Sequence, residues 1–347
     1  MTTVGATRLR SLNFVRRCGA LAPLRGLLCL LAFLAGSGAL LHAQAAADHP
    51  TVLLVMGAPG DDEFGSDFAA QAQLWRQIGE RAEAKFVAIG TEAAAPAAAA
   101  TTDRDRLVQS LADESREGLS PVWIVLAGHG TFDGKEAKFN LRGPDFSASE
   151  LAEWLKPFKR PLVIVDTTSS SAPFLAKLAG PNRAVVTSTR SGFEQNYARF
   201  GKFFAEAIAD PASDLDKDGE VSLLEAFLSA ARRTTEFYKA EGRLTTEHAL
   251  IDDNGDGLGT PADWFKGVRA TKRARDGAAL DGARAQQFVL IRSAAERQLP
   301  PEVRARRDKL ELQVAELRDA KAKMKEEDYY RELERLLREL AALYEGT

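Results

Sequence analysis

Short apolar runs rich in β-branched residues alternate along this chain with stretches whose apolar positions recur every three or four residues. The first pattern suits a strand buried on both faces, the second a helix with one apolar stripe. Thr51–Met56 (TVLLVM), Lys85–Ile89, Val122–Ala127 (VWIVLA), 161–165 (PLVIV) and 184–187 are the expected strands. Residues 64–81 read as a helix with Phe64, Phe68, Leu74, Trp75 and Ile78 on its inner face, followed by helices at 104–117 and Phe200–Ala209. Ser147-Ala148-Ser149-Glu150 is a capping box that opens a further helix to about Leu155. This alternation predicts an α/β fold, a three-layer and mostly parallel sheet with helices on both faces. The alanine-rich stretch 92–100, broken by Pro96, is expected as a surface loop.

From residue 284 the pattern changes. Pro300-Pro301 precede a charged helix with apolar residues at Val303, Leu310, Val314, Leu317 and Met324, and a second helix carries Leu333, Leu336, Leu340 and Leu343. That is the spacing of a coiled-coil seam, and Lys325-Glu326-Glu327 suits the turn, so a C-terminal α-helical hairpin is expected over 284–347. It reads as a stabilising cap or as an oligomerisation arm. The α/β domain would then span 48–240, with 241–283 as a connecting segment.

Residues 1–45 belong to neither. Arg8, Arg10, Arg16, Arg17 and Arg25 give a basic start without acids, an apolar run covers 27–41, and Ala43-Gln44-Ala45 is a small-x-small cleavage signal. Together these describe a secretory signal peptide, so the protein is expected to be exported, periplasmic or extracellular. The apolar run is shorter than the roughly 20 residues a membrane span needs, with an uncleaved anchor as the alternative. Cleavage removes five arginines and takes the net charge from −3 to −8, which argues against a nucleic-acid partner. Both cysteines, Cys18 and Cys29, lie in the leader. The mature chain would therefore have no disulfide, no thiolate metal site and no cysteine nucleophile, and no membrane contact.

Chemistry in open α/β sheets gathers where strands end. Three strands end here in Gly128-His129-Gly130, in Asp166-Thr167-Thr168-Ser169-Ser170-Ser171, and in Thr187-Ser188-Thr189-Arg190-Ser191-Gly192 followed by Glu194. An imidazole, a hydroxyl cluster and a guanidinium are thus expected together. His129 is a candidate base, or a turn histidine bonded to backbone. Arg190 and Glu194 are candidate ligand-pocket residues, or simply an ion pair. The acidic turn Asp61-Asp62-Glu63 could favour a basic partner at the same rim, or serve only the helix start.

These segments resemble the legumain- and caspase-type cysteine peptidases, in which one hydrophobic strand ends in His-Gly and the next in acidic-Ala-Cys-x-Ser-Gly, while a third lines the S1 pocket. VWIVLAGHG and LVIVDTTSSS match that order, with Asp166 37 positions after His129, and VVTSTRSGFEQNYA is similar to the legumain segment after its third strand. The resemblance covers residues 51–238 and implies a caspase-like sheet. It places Thr168 at the cysteine, Ser170 at the serine and Ser171 at the glycine. A thiol near pKa of about 8.5 becomes thiolate beside an imidazole, whereas a hydroxyl needs a base to take its proton during attack. The expectation is a peptidase homologue that has lost its chemistry and binds a peptide or protein ligand. A hydrolase using Thr168, Ser169 or Ser170 with His129 as base is the alternative; a scaffold protein oligomerising through the hairpin is the third.

One motif stands apart from the strand ends. Residues 214–225 fit the EF-hand loop pattern D-x-[DN]-x-[DN]-G-x5-E at every position. Asp214, Asp216, Asp218, the Glu220 carbonyl, Ser222 and Glu225 would hold Ca2+, with Gly219 at the sharp turn. A second loop at 252–263 offers Asp252, Asn254, Asp256, the Leu258 carbonyl and Asp263, closed by an aspartate one methylene shorter than the usual glutamate. A turn held by Asx bonds is its alternative. His248 nearby is expected as a structural hydrogen bonder.

Overall fold

The computed structural model describes residues 49–60, 62–91, 101–276 and 278–345. The expected leader with both cysteines and the loop 92–100 lie outside the described residues, and the acidic turn Asp61-Asp62-Glu63 lies outside the described side chains. The chain runs through β1 (Thr51–Met56), α1 (Asp62–Arg81), β2 (Lys85–Ile89), α2 (Asp103–Asp113) and β3 (Val122–Ala127). A small sheet follows, of β4 (Gly130–Phe132), β5 (Ala137–Phe139) and β6 (Phe146–Ser147), leading into α3 (Ala148–Leu155). Then come β7 (Leu162–Asp166), α4 (Ala172–Leu178), β8 (Arg183–Thr187), α5 (Phe200–Ala209), α6 (Leu223–Ala240), β9 (Leu250–Asp252) and β10 (Thr260–Pro261). The C-terminal part holds α7 (Ala294–Gln298), α8 (Pro301–Ala320) and α9 (Glu326–Glu345).

The main sheet has the order β10-β9-β8-β7-β3-β1-β2. The five strands expected from the sequence pair in parallel. β9 adds antiparallel to β8, and β10 antiparallel to β9. Alternate side chains explain why the central strands are apolar throughout. Val52, Leu54, Trp123, Val125, Val163 and Val165 pack with Phe68, Trp75 and Ile78 of α1 and with Phe204 and Phe227 of α5 and α6. Their neighbours Leu53, Val55, Ile124, Leu126 and Ile164 pack with Leu107, Leu111, Leu151, Leu155, Leu175 and Leu178 of α2, α3 and α4. Both faces are covered, so the expected three-layer, mostly parallel α/β architecture is what the chain adopts. Trp75 and Trp123 are fully buried, and truncating either to alanine costs roughly 3–5 kcal/mol.

Two departures have physical reasons. α2 stops at Asp113 rather than at 117, because Glu114 turns into an extended conformation and points inward. There its carboxylate accepts from Arg160 Nη1 at 2.7 Å, Lys85 Nζ at 2.8 Å and Thr51 Oγ1 at 3.0 Å. The sheet β4-β5-β6 was not read from the pattern; its strands have two or three residues, too short for a period to register. The capping box at Ser147 is present as expected, with Glu150 reaching back to the Ser147 amide. The hairpin also forms: Leu310, Val314 and Leu317 of α8 meet Tyr329 and Leu336 of α9, with Leu333, Leu340 and Leu343 beside them. Among the described residues no helix is long and apolar enough to cross a membrane.

Candidate functional site

Parallel pairing brings the carboxyl ends of β3, β7 and β8 to one rim. The register Leu126↔Asp166↔Thr187 sets the three tips side by side, so the histidine, hydroxyl and arginine segments adjoin as their order in sequence predicts. Gly130 is pressed so closely on the β7 tip that a Cβ there would lie 2.2 Å from the Ser169 carbonyl and 2.7 Å from Thr168 Oγ1. The two tips are stitched by Ser169 Oγ donating to the Gly130 carbonyl at 3.0 Å and accepting from its amide at 3.3 Å.

Within that frame His129 and Thr168 have separate partners. The half-buried His129 ring has Nε2 3.1 Å from the Pro59 carbonyl, an atom that can only accept, so Nε2 carries the proton there. The ring sits in an aromatic box, edge-on to Phe64 at 5.1 Å and beside Phe68 and Tyr197. Thr168 is fully buried, and its Oγ1 donates to Asp166 Oδ1 at 2.6 Å, which also accepts the Thr168 amide at 3.0 Å. Asp166 is itself fully buried with Oδ2 unpartnered, and burial pushes its carboxyl up to about 7. The sequence pattern marked Asp166 only as the acidic residue of a motif; its role as the acceptor of the Thr168 hydroxyl's hydrogen bond depends on burial and rotamer, which no motif encodes.

The remaining hydroxyls are internal as well. Ser171 Oγ lies 3.1 Å from both Ser188 Oγ and Thr189 Oγ1 and accepts the amides of Ser188 and Thr189. Ser188 Oγ donates to the Thr168 carbonyl at 2.5 Å. This buried network ties β7 to β8. Ser170 holds φ +57, a left-handed conformation that costs a non-glycine residue energy, and its buried Oγ has no protein partner. Its amide donates to the Glu194 carbonyl at 2.8 Å.

Arg190 and Glu194 lie at the mouth of the rim. Arg190 Nε is 3.4 Å from Glu194 Oε1, and its side chain is mostly exposed. Glu194 is shared, because His248 Nδ1 approaches the same oxygen at 2.6 Å and the His248 amide donates to Oε2. His248 is thus the hydrogen bonder the sequence suggests. Beside it a cavity of 280 Å³ is lined by Ser188, Phe200, Thr234, Glu247, His248 and Asp263. Buried Glu247 accepts from the Arg199 and Phe200 amides and from the Tyr238 hydroxyl.

The two acidic loops share one backbone plan. In the first, Asp214 accepts the amides of Lys217 at 2.6 Å and Gly219 at 3.1 Å, Asp216 accepts Asp218, and Asp218 accepts Glu220. In the second, Asp252 accepts Gly255 at 2.7 Å and Gly257 at 2.6 Å, Asn254 accepts Asp256, and Asp256 accepts Leu258. Carboxylate oxygens of Asp214, Asp216 and Asp218 lie within 4.8 Å of one another, a spacing that suits one cation. Burial followed by neighbouring carboxylates pushes Asp216 up, and burial does the same to Asp218.

The first loop is closed by Glu225 and the second by a carboxylate from outside its twelve-residue window. Glu225 Oε1 accepts the amides of Leu215 and Asp216 at 2.7 and 3.1 Å, while Oε2 takes the Ser222 hydroxyl at 2.8 Å. In the second loop the equivalent donors go to Asp281: Oδ1 accepts the amides of Asp253 and Asn254 at 3.1 and 3.3 Å, and Oδ2 takes the Thr260 hydroxyl at 2.5 Å. Asp263, expected in that place, is exposed on the turn Ala262–Trp264 and faces the 280 Å³ cavity instead. Pro261 and the strand β10 carry the chain away before a closing turn can form, so the carboxylate arrives from residue 281. Burial and the charge of Asp253 push Asp281 up to about 8. A sequence window of fixed length could not reveal a closing group so far along the chain.

Comparison with solved structures returns weak similarities. Caspase-1 from Spodoptera frugiperda aligns at 8% identity and TM-score 0.38 over 59% of this chain and 87% of that one. The Drosophila initiator caspase Dronc aligns at 13% identity and TM-score 0.38 over 60% and 81%. A protein from Geobacter sulfurreducens aligns at 12% identity and TM-score 0.34 over 53% and 89%. No protein-family model and no curated relative matches the chain.

Proposed function

We propose that this is an exported, calcium-binding homologue of legumain- and caspase-type peptidases that binds a peptide or protein ligand without cleaving it. One observation carries the reading. Thr168, at the position the motif gives to the nucleophile, is buried and donates a hydrogen bond to Asp166, while His129 holds the Pro59 carbonyl. A hydroxyl nucleophile needs a base at its own oxygen and a path for substrate, and here the neighbouring base is a carboxyl held largely neutral below about 7. The rim remains suited to a ligand: Arg190 is mostly exposed, and Phe193 beside it is 73% exposed and packs edge-on to Phe132 at 5.2 Å. Export follows from the leader pattern in the sequence.

For calcium, the first loop would use Asp214, Asp216, Asp218, the Glu220 carbonyl, Ser222 and Glu225. The second would use Asp252, Asn254, Asp256 and the Leu258 carbonyl, closed by Asp281. Bound there, the ion would offset the charge of carboxylates that burial pushes up, Asp216, Asp218, Asp252 and Asp281 among them, and would hold both loops in place.

The deciding experiment incubates the protein with a peptide library and a fluorophosphonate probe, alongside His129→Ala. Retention of library peptides without cleavage or labelling is expected. Labelling that vanishes in His129→Ala would instead establish the hydrolase alternative.

A further inference from the structure

We propose that a cavity at the rim opposite the candidate site binds an oxyanion head group, phosphate- or sulfate-like, between Arg292 and Arg304. This stands independently of the peptidase-homologue and calcium readings. The cavity, of 1010 Å³, lies where Thr51, Lys85 and Ser120, at the starts of β1, β2 and β3, meet the segment that enters the hairpin. Local sequence brings the two guanidinium groups to its wall. Ser293 caps α7, its hydroxyl accepting the Glu296 amide at 3.2 Å, which fixes Arg292 just ahead of that helix. Pro300-Pro301 then open α8, so Arg304 stands one turn into it and reaches back to the carbonyls of Leu299 and, at 2.8 Å, Glu296.

What the two arginines lack is a counter-charge. Arg304 is only 8% exposed, and its hydrogen bonds run from Nη1 alone to neutral carbonyls. Among the described residues it forms no ion pair, and half-buried Arg292 forms neither an ion pair nor a hydrogen bond. Burial, and after it the charge of Arg304, lowers the Arg292 guanidinium, so the two cations lie close. The acids around Arg292 are engaged elsewhere: Glu220 accepts the Ser293 amide, while Glu296 and Asp308 hold Arg307 at 2.6 and 3.0 Å. The cavity's own acids are taken as well, Glu114 by Arg160 and Lys85, Glu117 by Lys159 and Glu83 by Arg297, and Glu302 is exposed and holds neither arginine. Buried cations are ordinarily matched by an anion, and the planar guanidinium fork suits the paired oxygens of a phosphate-type group. Leu119, Leu290 and Leu299 also line the cavity and would take the apolar body of an organic ester.

Isothermal titration calorimetry of the protein with hexyl phosphate tests this, with cosedimentation on phosphatidylglycerol vesicles as a second arm and circular dichroism confirming that each variant is folded. The wild type should bind hexyl phosphate. Arg292→Gln, which breaks no hydrogen bond or ion pair of the described residues, should weaken binding at least ~10-fold by removing a charge-assisted pair. Arg232→Gln, on α6 and outside the cavity, should bind as the wild type does. Vesicle uptake that Arg292→Gln abolishes would make the head group a lipid's, and hexyl phosphate binding without vesicle uptake would make it a soluble ester's. No binding in either arm, binding that a folded Arg292→Gln leaves intact, or an equal loss in Arg232→Gln would each overturn the proposal.

Discussion

A threonine hydroxyl donates to the strongest acceptor within reach, and at the β7 tip that acceptor is Asp166. Two measurements follow. The folded chain prefers Asp166 neutral, since its carboxyl rises from 3.8 to about 7 on burial. Its contribution to stability is fully present below about pH 3.8 and is lost as pH rises through about 7. Asp166→Asn should therefore flatten the pH dependence, gaining on the wild type in urea midpoint between pH 5 and pH 8; parallel midpoints across that range would refute the assignment. Thr168→Cys, in a protein without its leader, would carry one thiol in a fully buried position. It should resist a thiol reagent until denaturant is added, whereas rapid native labelling would mean the tip opens. The sequence put His129 and Thr168 on neighbouring tips because strand order and β propensity are local signals. Which atom each side chain bonds depends on rotamer and burial, and those are settled only by packing.

Backbone turns at the scale of single elements decide both the tip contact and the acidic loops. A Cβ at Gly130 meets the Ser169 carbonyl, a backbone atom that cannot swing aside. Gly130→Ala should cost about 1–3 kcal/mol in chemical denaturation. The loops make a sharper contrast. Asp281→Asn removes the carboxylate that closes the second loop, while Asp263→Asn alters an exposed side chain outside it. Calcium-dependent gain in Tm should fall in the first variant and persist in the second; the reverse result would return the closing role to Asp263. The hydrogen-bonded turn of the first loop was legible because Asp214, Asp216, Asp218 and Glu225 lie within twelve consecutive residues. Asp281 was not, because its place is fixed by the fold of 262–281 rather than by spacing.

Across the whole molecule the α/β architecture was the most legible feature, since buried parallel strands write continuous apolar runs. The antiparallel β9 and β10, only three and two residues long, left too little pattern to read. Ions that bind the folded chain alone raise its stability with concentration, so melting in millimolar calcium should exceed melting in EDTA, and equal values would remove the metal sites. At the opposite rim from the candidate site, buried Arg160 donates to the His49 carbonyl at 2.8 Å as well as to Glu114 and the Ser120 carbonyl. The start of β1 is thereby anchored beneath the sheet, while His129, Arg190 and Phe193 crown its far side. A bead or tag joined upstream of His49 would hold the domain by its base, and the rim of His129, Arg190 and Phe193 would stay turned toward the solution.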